Sequence, residues 1–406
     1  MTEPETSLLQ GYQGVVCDLD GVVYRGHEPV PHAVEALRAA LQSGRRVVYA
    51  TNNASRTPTQ VAAQLTRMGV SLAERDVVTS AQAGAARVRE RVGDGARVLA
   101  LGGEGVPAAL REEGLVATSE AVGAAAVLQG FGAGVGWREL AEAAYAVQAG
   151  AVWVATNVDE TLPTDRGTAP GNGTLVAAVR SATGVDPDVV GKPWTPLYEL
   201  SARRLEIDAS QTLAIGDRLD TDIAGANAAG VDALVVLTGV HGPADLAAAP
   251  KEWRPRYVAA DLRCLGVAYV EPRKVDDAWA CGSAVVRVAA GDDPGVQVVC
   301  EGPAEHLLRA ALAASWEAVD GGALAAESLR EARMGQWWSL MAERLTGEAG
   351  ADGDQRIEAV AGGREPGGAA GGETDGAAGG RGPEDVAGMR TAVAESDAGR
   401  PGGSPG

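Results

Sequence analysis

The sequence predicts an α/β protein in which a doubly wound parallel sheet is interrupted by a second α/β domain and followed by a small α+β extension. Three observations carry this. From Gly14 to Gly69, short apolar runs alternate with segments whose apolar residues recur at helical spacing. The same rhythm resumes at Thr212. Between these two stretches, from about Gly84 to Gly184, lies a further alternation of its own.

Gly14–Leu19 reads GVVCDL, a short apolar run that suits a buried parallel strand and stops at Asp18, Asp20 and Gly21. His32–Leu41 has helical spacing and ends at Gly44; Arg46–Ala50 is a second strand running into Thr51-Asn52-Asn53. Pro58–Met68 reads as a helix with Gly69 as its C-cap. The intervening alternation offers strands at Arg97–Leu101, Ala125–Leu128 and Val152–Thr156, with a helix at Trp137–Ala149. Then come a strand at Thr212–Ile215, a helix at Asp222–Ala229 and a buried strand at Val231–Leu237. A third region holds β-like stretches at Ala284–Val288 and Val296–Cys300 and helical periods at Pro303–Val319 and Ala325–Leu345. Beyond Gly347 the chain is dominated by Gly, Ala, Pro and Glu and is nearly free of large apolar residues, so disorder is expected. The expected organisation is a first domain built from 11–82 and 186–268, an insertion over 83–185, an accessory region over 270–345 and a tail over 346–406.

Composition narrows the function classes. Hydrophobic residues make up 46% of the 406 and aromatics only 4%, so Ala, Val and Leu must fill the core. The formal net charge of −19 repels nucleic acid and anionic membrane surfaces, and no partner of either kind is expected. An anionic substrate would need a local positive site, such as a metal ion, a lysine or a helix N-terminus. The cysteines, Cys17, Cys264, Cys281 and Cys300, form no CxxC pair, which fits free thiols in a reducing cytoplasm. No signal peptide is expected from the N-terminus, and no run of about 18 apolar residues suggests a membrane span.

Four motifs carry chemistry. Asp18-Leu19-Asp20-Gly21 lies at a strand's carboxyl end, where open α/β sheets bind ligands. Two carboxylates two residues apart can share a magnesium ion and divide the work, one attacking phosphorus and the other exchanging protons with the leaving group. Thr51-Asn52-Asn53 could bind phosphoryl oxygens through a hydroxyl and backbone N–H groups. Lys192, between Gly191 and Pro193 in a chain that nearly avoids lysine, could neutralise a phosphoryl group and Asp18. Finally, Gly216-Asp217 followed by Asp222 offers Asp217 to complete an oxygen-rich magnesium site. Asp222 either orients Lys192 or a metal-bound water, or caps its helix; Asp220 is expected to face solvent.

In this order and at strand ends, the four motifs resemble the haloacid dehalogenase superfamily over about Gly11–Gly266. The Thr-Asn-Asn sequence and the long insertion before Gly191-Lys192-Pro193 resemble its subclass IIA, the NagD-like phosphatases. The resemblance implies a Rossmann-like core with a C2-type α/β cap over the site, and a magnesium-dependent phosphatase working through an aspartyl-phosphate. By it, Asp18 is the nucleophile and a metal ligand. Asp20 is the general acid/base and lends its carbonyl to the metal. Thr51 and Asn52 hold the phosphoryl group, with Asn53 beside them. Lys192 stabilises the phosphoaspartate, Asp217 is the remaining ligand and Asp222 stands behind them. An Asp at position 20 also favours a phosphatase within the superfamily.

Relatives carry an Asn-x-Asp pattern in the cap near the leaving group, which here falls on Asn157 and Asp159. The stretch Gly130–Trp137, GFGAGVGW, is similar to an actinobacterial subgroup that includes a glycerol 3-phosphate phosphatase. Its C-terminal extension is likened to an acetyltransferase fold; here 270–345 has no convincing pyrophosphate loop and is expected to pack on the core or mediate a homodimer. The expectation is hydrolysis of a small phosphorylated metabolite, best glycerol 3-phosphate. Phosphoglycolate, 4-nitrophenyl phosphate, a nucleotide or pyridoxal phosphate are alternatives, as are transfer to an acceptor and a phosphate-ester sensor without turnover. Trp316, Trp337 and Trp338 are expected in core or interface, and His27, His32, His241 and His306 lack metal spacing.

Overall fold

The computed structural model describes residues 6–164, 166–289 and 294–346, and the contacts below are among them. The expected tail lies outside the described residues from Gly347 onward.

The first domain is a six-stranded parallel sheet in the order Tyr257–Ala259, Asp232–Val236, Thr212–Gly216, Gly14–Cys17, Arg46–Thr51, Val77–Thr79. The strand Gly14–Cys17 is buried throughout, as its unbroken apolar run requires. It pairs with Arg46–Thr51 on one side and Thr212–Gly216 on the other, so the chain winds away in both directions from it. That reversal opens a crevice at the carboxyl ends of these strands. The helices follow local signals. Pro58–Arg67 starts with Pro58 in its first turn and a reciprocal cap, Thr57 Oγ1 accepting from Gln60 N–H at 3.2 Å and Gln60 Oε1 from Thr57 N–H at 3.0 Å.

The inserted segment forms a five-stranded parallel sheet ordered Asp188–Val189, Val152–Ala155, Ala126–Gln129, Arg97–Leu101, Val116–Thr118. Its edge strand, Asp188–Val189, lies just past the expected boundary at 185. A hairpin, Thr161–Thr164 with Gly167–Pro170, precedes the helix Asn172–Thr183. The carboxyl edge of this second sheet meets the first domain: Gly105 N–H donates to Ser55 C=O at 3.2 Å, and Asn157 Nδ2 to Asn52 C=O at 2.8 Å.

The accessory region differs from expectation in its strands and in its last helix, where the period expected over Ala325–Leu345 is a short turn at Glu327–Arg330 and a helix only from Ala332. It is a four-stranded antiparallel sheet, Arg273–Val275, Ala278–Cys281, Ala284–Ala289 and Gly295–Cys300, rather than two β stretches. The helix Ala304–Asp320 packs on this sheet, and a second helix, Ala332–Thr346, follows. It is welded to the first domain. Arg309 Nε donates to Val258 C=O at 3.0 Å with its guanidinium 3.9 Å from the centre of the Tyr269 ring, and Trp316 Nε1 donates to Leu246 C=O at 2.8 Å. Trp337 and Trp338 are fully buried and meet edge to face, with ring centres 4.7 Å apart. Among the described residues, no helix is long and apolar enough to cross a membrane.

Candidate active site

The carboxyl ends of three adjacent core strands place Asp18, Thr51 and Asp217 around one point, and the turn after Asp188–Val189 brings Lys192 into it. Lys192 is 3% exposed and its ammonium is ringed by oxygen: Asp18 Oδ1 at 2.5 Å, Asp222 Oδ1 at 2.9 Å and Ala50 C=O at 3.0 Å. Asp222 does two of the jobs left open above. Its Oδ2 accepts the N–H groups of Asp217 and Arg218 at 3.2 and 3.0 Å, pinning the turn, while Oδ1 faces Lys192. Asp222 is therefore committed to the protein.

Asp217 is held by close packing of backbone. Its Oδ2 accepts from Val240 N–H at 2.7 Å. A Cβ on Gly239 would stand 1.9 Å from that oxygen, and one on Gly21, whose φ is +82°, 2.4 Å from it. Only glycine fits at either position.

Charge does not balance inside this pocket. Carboxylate oxygens of Asp18, Asp217 and Asp222 come within 4.8 Å of one another. With all three ionised, they outnumber the one ammonium among them by two charges. Burial pushes Asp18 well above the ordinary carboxylate range, opposed by Lys192 and reinforced by Asp222 and Asp217. Burial, then Asp222, pushes Asp217 up to about 7. Lys192 stays charged, because the two carboxylates outweigh the cost of burying it. With both oxygens of Asp222 engaged, Asp18 and Asp217, each holding one such contact through a single oxygen, are left as hard-oxygen donors, a set that fits a divalent cation and would be relieved by one.

Asp20 opens towards solvent, yet the protein around it raises its pKa by desolvation, with Arg56 pulling the other way. Tyr24 Oη lies 3.5 Å from its Oδ2 and accepts from Arg56 Nη2 at 3.1 Å. Neither Tyr24 nor Arg56 stood out in the sequence. Their only mark there was closeness to two of the motifs.

The other candidates separate. Thr51 is buried at the site, its Oγ1 accepting from Asn53 N–H at 3.1 Å. The side chains of three asparagines expected at the substrate are engaged within the protein. Asn52 binds the Lys192 main chain. Asn53 Oδ1 accepts from Ser55 N–H at 2.9 Å. Asn157 donates to Asn52 C=O at 2.8 Å and accepts from Asp159 N–H at 3.2 Å. Asp159 is half-buried beside them, its pKa raised by burial, with Arg218 opposing. Asp220 is half-buried rather than free in solvent, gripped at both oxygens by Arg218 at 3.1 and 2.8 Å.

The family pattern of haloacid dehalogenase-like hydrolases matches residues 15–116, and a HAD-hydrolase-like pattern matches 189–265. The chain is 42% identical over 317 residues to the D-glycerol 3-phosphate phosphatase of Mycobacterium tuberculosis, covering 77% of this chain and 88% of that one. It is 37% identical over 232 residues to a 5'-nucleotidase of Bacillus subtilis, covering 57% of this chain and 90% of that one. The crystal structure of the Mycobacterium tuberculosis glycerol phosphate phosphatase in complex with magnesium superposes with a TM-score of 0.69 at 41% identity, over 77% of this chain and 92% of that one. A p-nitrophenyl phosphatase from Archaeoglobus fulgidus gives a TM-score of 0.59 at 28% identity, over 62% of this chain and 97% of that one.

Proposed function

The chain belongs to the haloacid dehalogenase-like hydrolases, and from that premise we propose that it hydrolyses a small phosphate monoester, glycerol 3-phosphate, with magnesium and through phosphorylation of Asp18. The observation that carries this reading is the Asp18–Lys192–Asp222 chain beside Asp217, three clustered carboxylates with one ammonium among them.

In the proposed reaction Asp18 attacks phosphorus while the bond to the leaving alkoxide breaks. Asp20, its pKa raised, gives that alkoxide its proton. Asp20 then takes a proton from the water that attacks the phosphoaspartate, and phosphate leaves. Lys192 holds Asp18 in place and offsets charge on the transferring group. The Thr51 hydroxyl donates to a phosphoryl oxygen. Magnesium would be held by Asp18, Asp217 and the Asp20 carbonyl, and would supply charge to the phosphoryl oxygens. The second domain, with Asp159 towards the site, limits the substrate to small molecules. The free, largely buried thiols fit a cytoplasmic enzyme.

Glycerol 3-phosphate is preferred because the relative at 42% identity acts on it and because the match to that relative extends beyond the core into the accessory region. The test is phosphate release from a panel of small phosphate esters, with magnesium and with EDTA. Release concentrated on glycerol 3-phosphate and abolished by EDTA is expected. Release from other esters alone would discard the substrate, and none from any ester would discard the activity.

A further inference from the structure

Lys192 sits in an irregular turn between the strand Asp188–Val189 and the helix Pro196–Leu205. No sheet ladder holds its main chain, yet its ammonium must stay within hydrogen-bond reach of three oxygens. The Asn52 side chain supplies what a neighbouring strand would. Its Oδ1 accepts from Lys192 N–H at 2.8 Å, and its Nδ2 donates to Lys192 C=O at 3.1 Å. A side-chain amide is the group that can both accept from an N–H and donate to a C=O in one plane.

The same residue joins the two domains. Asn52 C=O accepts from Ser80 Oγ at 2.6 Å and from Asn157 Nδ2 at 2.8 Å, and Asn52 Nδ2 lies 3.4 Å from Asp159 Oδ2. The neighbour of Lys192 is packed as tightly: a Cβ on Gly191 would stand 2.3 Å from Thr156 C=O and 2.8 Å from Asn52 Oδ1. The turn therefore sits wedged between Asn52 and the end of the strand Val152–Ala155.

We infer that Asn52 is a positioning residue. Its side chain fixes the main chain of Lys192, and so the ammonium on Asp18, and ties that placement to the cap residues Asn157 and Asp159 rather than touching the phosphoryl group. The inference rests on the hydrolase reading above, in which Lys192 acts on phosphoryl transfer. A misplacement of about 1 Å in a catalytic group can cost about 100-fold in rate, which is the scale expected here.

A double-mutant cycle on the full chain tests it, with p-nitrophenyl phosphate and glycerol 3-phosphate at saturating magnesium. Asn52→Ala should lower kcat about 100-fold and move KM less than about threefold. In a Lys192→Ala background the same change should lower kcat less than about threefold, because the group it positions is gone. Asn52→Asp guards against misfolding. It keeps size and the acceptor for Lys192 N–H but turns a second oxygen towards Lys192 C=O and Asp159, and it should show the same fall and the same non-additivity. Three results in an active wild type would overturn the inference alone: kcat unchanged in both variants, KM raised with kcat kept, or full additivity with Lys192→Ala. A wild type inactive on every ester would overturn the hydrolase reading, and the inference with it.

Discussion

Replacing Lys192 with methionine isolates what the buried ammonium does. Methionine fills much of the volume of the lysine stem, so the main loss is charge. Three oxygens then face an apolar methyl group: Asp18 Oδ1, Asp222 Oδ1 and Ala50 C=O, previously 2.5, 2.9 and 3.0 Å from Nζ. Lys192 is 3% exposed, so water cannot replace the lost partner without opening the site. Removing one member of a buried ion pair costs about 3–5 kcal/mol. At about 2–4 °C per kcal/mol for a large domain, the melting temperature should fall by about 6–20 °C. The melt is followed by circular dichroism in EDTA, so that no divalent ion offsets the exposed carboxylates. The cause is then separable from lost packing. Asp222→Asn in the Lys192→Met protein removes one of the two facing charges, keeps an acceptor for the N–H groups of Asp217 and Arg218, and should raise the melting temperature above that of the single variant. A Lys192→Met protein melting within about 2 °C of wild type, or a double variant less stable still, would refute the reasoning.

The other predictions bear on separate parts of the molecule. Gly239→Ala drives a methyl group against Asp217, and the magnesium concentration for half-maximal phosphate release should rise about 10- to 100-fold. Trp337→Ala empties a fully buried site in the accessory region and should cost about 3–5 kcal/mol in urea unfolding, with kcat unchanged below the transition. Cys17, Cys264 and Cys281 are buried, with burial raising each thiol's pKa, whereas Cys300 is exposed. Iodoacetamide near pH 8 should therefore modify Cys300 alone in the native protein, as peptide mass mapping would show, and a second thiol reacting at the same rate would contradict the packing.

Much of this was legible in the sequence because parallel strands are buried on both faces. Gly14–Cys17 and Thr212–Gly216 read as continuous apolar runs, and the residues that follow them in sequence fall at the carboxyl edge of the sheet. What stayed hidden lacked that signal. Arg273–Val275 is exposed along its whole length and shows no apolar pattern, and Ala278–Cys281 is only four residues long, so the accessory sheet read as two strands rather than four. Val77–Thr79 is short, and Thr161–Thr164 contains a proline. The helix expected from Asp222 instead begins with a wide turn, Leu219–Ile223, before Ala224–Ala228, where Asp222 turns back to accept two backbone N–H groups. The engagement of Asn52 with Lys192 joins residues 140 positions apart, and nothing in either local sequence announces it. A Thr-Asn-Asn turn offers polar atoms, and only the fold decides whether they face substrate or protein.

The central claim, that Asp18 carries the phosphoryl group, is tested most directly by trapping it. Protein mixed with glycerol 3-phosphate and magnesium is quenched in acid within the first turnover, and borodeuteride then reduces any acyl phosphate to an alcohol that peptide mass spectrometry can locate. The modification should fall on Asp18 and vanish in Asp18→Asn. Its appearance on another residue, or undiminished phosphate release by Asp18→Asn, would contradict the account.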